Sequence, residues 1–204
     1  MNPTSPNRRN YKQNDLFRSG ANLRLNACVG RNGGPYTFYA YSRGYFHAGE
    51  RLIQSVVHTQ VSIDLLIYPI VFCFRHGIEL AIKDLVIILP KLWNQTNAIQ
   101  LTHDLINDWT LARGFLSQEP FQSNDATTDQ VEKVLTDLVA LDPNGQAFRF
   151  PSARDGKLFL QDTAIINLDV FADAMSLVAG AFDYWQTLGR EALQTRYEME
   201  ELGI

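Results

Sequence analysis

Apolar positions along this chain follow a helical period, and one segment is apolar on nearly every face. Phe46, Ile53, Val56 and Val57 recur at helical spacing and predict a first helix over about residues 39–61. A second is predicted over about 65–89, with Pro69 tolerated near its start and Pro90 marking its end. Residues 91–101 are polar and read as a loop. A third helix is predicted to begin at Thr102 as N-cap and to carry Leu105, Ile106, Trp109 and Leu111. Thr127 and Gln130 fit a capping box for a fourth, over about 128–141, which Asp142-Pro143-Asn144-Gly145 stops. Phe148-Arg149-Phe150-Pro151, a turn at Arg154-Asp155-Gly156-Lys157, and Leu158-Phe159-Leu160 then predict an extended excursion or a short hairpin. The last helix, about 167–188, gathers Leu168, Phe171, Met175, Val178, Phe182 and Trp185 on a wide face. It is expected to continue, frayed and acidic, towards Glu201. The sum is an all-α fold: a helical bundle of about five helices with an irregular excursion or short hairpin before the last long helix. The expected organisation is a flexible basic arm and Gly-rich loop (1–35), a helical domain (36–190) and an acidic extension of the last helix (191–204).

The second helix carries the chemistry. Its apolar run is broken by Arg75, His76, Glu79 and Lys83, which fall within about 100° of helical arc. Glu79 lies four residues from both Arg75 and Lys83 and can bridge two cations along one ridge. Charge at the edge of such a segment must be paired, solvated through a cleft, or used. All four histidines, His47, His58, His76 and His103, fall in the first three helices. His47 with Glu50 and His76 with Glu79 have the spacing of bundle metal ligands, but too few inward carboxylates accompany them, and no metal is assigned.

A second use of these residues is acid–base chemistry on RNA. At a helix start the dipole disfavours a proton on His103, and the neighbouring Arg75 does the same for His76. A neutral imidazole beside cations is what phosphodiester cleavage uses, with His76 or His103 moving protons and Arg75 and Lys83 on phosphate. The blander readings are that His103 only caps its helix and that Arg75, Glu79 and Lys83 form a solvent stripe. Arg51 and His58, seven apart on the first helix, are a weaker alternative pair. The aromatic residues Tyr36, Phe38, Tyr39, Tyr41, Tyr45 and Phe46 read as core or dimer contacts before they read as base-stacking platforms.

Composition narrows the setting. With 204 residues and 46% hydrophobic content, the chain can bury one substantial core. Its net charge of -4 gives no global nucleic-acid footprint. Through Arg31, however, six cations oppose Asp15 alone, a local charge of +5. Gly30, Gly33 and Gly34 fit neither a Walker loop nor a dinucleotide fingerprint, so no cofactor is expected. Cys28 and Cys73 make no disulfide framework or zinc spacing, and the polar N-terminus lacks a signal-peptide run, so the expected location is cytoplasmic. The charges within 61–89 argue against a membrane partner.

Taken together, Tyr68-Pro69, Arg75-His76-x-x-Glu79-Leu80-x-x-Lys83, His103-Asp104-Leu105 and Phe148-Arg149-Phe150-Pro151 before a long last helix resemble bacterial HEPN-like helical domains. They look most like an uncharacterised set with an RHxxEL…K…HDL…RYP pattern, over roughly residues 40–190. The resemblance implies an all-α, commonly dimeric protein. It also implies kinship with metal-independent ribonucleases of toxin–antitoxin, abortive-infection and CRISPR systems, with an antitoxin or other defence partner. Active members use an Arg-x4–6-His motif on a late helix. This chain departs from that pattern, because its only match is Arg51 to His58 on the first helix. Two expectations follow. In one, the chain binds or cleaves RNA or a nucleotide through Arg75, His76, Glu79, Lys83 and His103, and a groove joins Lys83 to His103. In the other, it is a non-catalytic interaction or sensor module whose polar cluster is buried and paired internally.

Overall fold

A computed structural model describes residues 14–59, 61–95, 101–121 and 125–203. The chain divides into two compact units, Met1–Tyr36 and Thr37–Ile204. Within the first, the Gly-rich stretch holds one 3₁₀ turn, Leu23–Leu25, capped by the Asn22 side chain. Asn26 exchanges two hydrogen bonds with the Gly20 backbone, at 2.9 and 3.0 Å. Most of the basic arm, residues 1–13, lies outside the described residues.

The second unit is helical. Its elements are α1 (Phe38–His58), α2 (Ile63–Ile88), a 3₁₀ turn (Leu89–Trp93), α3 (Leu105–Leu116), α4 (Asp125–Leu141) and α5 (Leu168–Leu202). The five-helix expectation holds, and the boundaries shift for identifiable reasons. Thr102 does not cap α3. Its hydroxyl bonds the Asp108 carboxylate at 2.9 Å, and Asp104 takes the cap by accepting the Asn107 N–H at 3.0 Å. His103 therefore stands outside the helix and does not cap it. Thr127 lies inside α4, so the proposed capping box does not form. The stretch after Pro90 is not simply loop, since Leu89–Trp93 winds into a 3₁₀ turn whose Lys91 and Leu92 carbonyls accept from Arg196 on α5. The last helix runs to Leu202, the extent expected of it, as one unbroken helix. Between α4 and α5 a single antiparallel bridge, Ser152 with Leu158, is the only β pairing among the described residues, so the excursion is irregular and not a hairpin.

α2 is the centre of this unit and packs against α1, α3 and α5. Ile70, Ile78, Ile82 and Leu85 are fully buried, which explains why its sequence is apolar all round. Ile63–Trp93 is long and apolar enough to cross a membrane by length and composition, yet most of it is covered by the other helices. α1 and α2 approach closely because Phe46 packs on Gly77 and Phe74 on Gly49, leaving no space for a Cβ at either glycine. Trp109 on α3 meets Phe182 and Trp185 on α5, with ring centroids 5.9 and 5.7 Å apart. Buried aromatics of this size dominate core energetics.

Candidate functional site

Four-residue spacing places Arg75, Glu79 and Lys83 on one ridge of α2, and that ridge faces inward. The three are only 5, 9 and 8% exposed, so they do not form a solvent stripe. Glu79 joins them. Its Oε1 accepts from Lys83 Nζ at 2.7 Å, and its Oε2 lies 3.4 Å from Arg75 Nη1. Arg75 Nε turns the other way, 3.3 Å from the Asp142 carbonyl oxygen and 3.4 Å from the Asp142 carboxylate.

Asp142 is the residue that sequence reasoning missed. It had been read only as a helix stop, but it is buried and works in two directions. Its Oδ1 accepts the backbone N–H groups of Gln146 and Ala147, at 2.7 and 3.0 Å, which closes the turn after α4. Gly145 in that turn has φ +68°, and a Cβ there would sit 2.6 Å from Arg75 Nη1. The positive φ and the packed guanidinium both require glycine. Two cations and two carboxylates thus balance within one buried network, which ties α2 to the turn ending α4.

His103 joins this network from outside. Its Nδ1 is 2.9 Å from Glu79 Oε1, while the side chain is 92% exposed. A carboxylate can only accept, so Nδ1 is the donor in this pair. Burial is the largest influence on the Glu79 carboxyl and pushes its pKa up. The hydrogen bonds from Lys83 and His103, with the charges of Lys83 and Arg75, outweigh it and hold the pKa below its ordinary value.

His76 is placed elsewhere. It lies parallel to Phe72 (5.7 Å, 7°) and edge-on to Tyr45 of α1 (4.5 Å, 90°). Desolvation lowers its pKa; Glu79 opposes this, and Lys83, Arg149 and Arg75 add to it. The structure therefore separates the two histidines that the sequence had grouped. Arg51 donates to Gln54 at 2.8 Å on the exposed face of α1, and exposed His58 ends that helix, so neither is drawn into the Glu79 network. His47 pairs with Glu50 at 3.2 Å on the surface. Among the described residues no group of three or more His, Cys, Asp or Glu side chains is placed to hold a metal.

A second buried carboxylate, Asp84, also escaped sequence reasoning. It accepts from Gln186 Nε2 at 2.8 Å and from Arg190 Nη2 at 2.7 Å, both on α5. Arg190 in turn lies 4.3 Å from the centroid of the Tyr39 ring. The signal available was Asp84 itself, an acid inside an apolar run.

The turn held by Asp142 leads straight into one wall of a cleft of about 750 Å³. Residues 147–151, 158–161 and 163–166 form that wall, and Ile63, Asp64, Ile67 and Tyr68 of α2 form the other. Of its lining residues Tyr68, Phe150, Leu158 and Ile165 are exposed, an apolar surface of the kind that marks a binding site. Neither Lys83 nor His103 lines this cleft. No protein-family model, curated protein or solved structure matches this chain.

Proposed function

We propose that this chain is a helical interaction or sensor module whose ligand, a small molecule with an apolar body, enters the cleft beside the first turns of α2. The observation that carries this reading is the use made of the buried charges. Arg75 is clamped to Asp142, Asp142 closes the 142–147 turn, and the next residues form the cleft wall. A charge-anchored wall beside a cleft of this volume, lined by apolar side chains together with a few polar ones, is the usual make-up of a small-molecule site. Titration with an uncharged apolar probe, decanol, followed through backbone amide shifts, tests it. Saturable shifts confined to 63–68 and 147–166 are expected. Shifts scattered over the surface, or none, would remove the reading.

One observation favours a second reading, that of a HEPN-like protein acting on RNA. The Glu79–His103 pair presents an exposed imidazole held by a carboxylate, the geometry a general acid or base uses. Its test is incubation with labelled single-stranded RNA and tRNA in EDTA, beside His103→Ala. That variant changes an exposed side chain, so folding is retained. Cleavage by the parent and not by the variant would support a metal-independent ribonuclease. Equal cleavage, or none, would count against it.

A further inference from the structure

The cleft is lined by two charged side chains, Asp64 and Arg149, that form no ion pair among the described residues, and they are not equivalent. Asp64 sits in the first turn of α2, where the unsatisfied N–H groups and the positive end of the helix dipole already offset a carboxylate. Arg149 has no such compensation. Its guanidinium lies 5.5 Å from the Phe72 ring centroid and 5.2 Å from that of Phe150, and no carboxylate pairs with it among the described residues. Two aromatic faces hold it in place without neutralising it. Arg149 is exposed, so water solvates its charge, and the guanidinium that lines this cleft is available to exchange that water for an anion.

Resting on the cleft reading above, we infer that the ligand is an amphipathic anion: an apolar chain or ring that lies against Ile67, Leu158 and Ile166, with one carboxylate or similar head on Arg149. A planar guanidinium pairs with a carboxylate through two parallel hydrogen bonds, which fixes the head and leaves the apolar body to the walls. The cleft offers hydrophobic area for affinity and a single cation for orientation.

The test compares three ten-carbon probes with the same tail, decanoate, decanol and decylamine, by calorimetric titration of the full chain. Arg149→Met keeps the packing on Phe72 and Phe150 and removes the charge. Ala164→Trp adds bulk at an exposed position lining the cleft, where folding is not at stake. Decanoate should bind about tenfold more tightly than decanol or decylamine, the size of one charge-assisted contact. Arg149→Met should reduce decanoate to the level of decanol, and Ala164→Trp should weaken all three. Equal binding of decanoate and decanol, both sensitive to Ala164→Trp, would overturn the anion and keep the cleft. Tightest binding of decylamine would overturn it in favour of Asp64. Failure of all three probes to bind would overturn cleft and anion together.

Discussion

Glu79 and Asp84 are two buried carboxylates on the same helix, five residues apart, satisfied in opposite ways. Glu79 draws its cations from one turn on either side of itself, Arg75 and Lys83, and receives His103 from beyond the helix. Asp84 has no local partner and depends on Gln186 and Arg190, more than a hundred residues away. The cations of Glu79, Arg75 and Lys83, are buried with the carboxylate, with side chains only 6 and 10% exposed. The Arg190 side chain is one-third exposed and can turn outward if its partner is lost. The first network therefore makes α2 and the 142–147 turn interdependent, and the second tacks α5 onto α2 with a looser stitch.

Glu79→Ala is the sharpest way to break this comparison. Among the described residues it leaves Lys83 buried with no other ion-pair partner and Arg75 with Asp142 alone. Loss of one member of a buried charge network costs about 3–5 kcal/mol. Urea unfolding should show that loss as a fall in midpoint with little change in slope. Asp84→Ala should cost less, about 1–3 kcal/mol, because Arg190 reaches solvent and only the Gln186 amide is stranded. Equal losses from the two variants would mean that the exposure of Arg190 offers no relief, and the distinction between the networks would fail.

The same contrast explains what could be read from the sequence. The helix order, the buried character of α2 and the Arg75–Glu79–Lys83 ladder all rest on spacings of three and four residues, and these are written locally. What the ladder was for could not be read. Its inward orientation depends on the turn at Asp142, 67 residues beyond Arg75, and the sequence marks that residue only as a helix stop. His103 was selected for its place at a helix start, yet its bond to Glu79 spans 24 residues and it stands outside the helix. Asp104 and Thr102 are both good caps, and the choice between them was made by Asp108, which engages the Thr102 hydroxyl. Arg149 was visible within Phe148-Arg149-Phe150-Pro151, but its uncompensated position between Phe72 and Phe150 exists only once α2 and the excursion meet.

His76 gives the smallest and most selective effect, because it neighbours the charge network without belonging to it. Burial among Phe72 and Tyr45 disfavours its protonated form; Glu79 opposes this, while Lys83, Arg149 and Arg75 reinforce it, so its folded pKa lies below the ordinary 6.5. As pH falls below about 6.5, the unfolded chain takes up a proton at this site that the folded chain resists. The unfolded state then binds more protons, and stability falls with pH until the folded imidazole also titrates. His76→Phe keeps a ring against Phe72 and Tyr45 and removes the titration. The difference in unfolding free energy between parent and variant should therefore move in favour of the variant as pH drops from 7 to 5. A difference independent of pH would show that the aromatic pocket stabilises His76 equally in both protonation states.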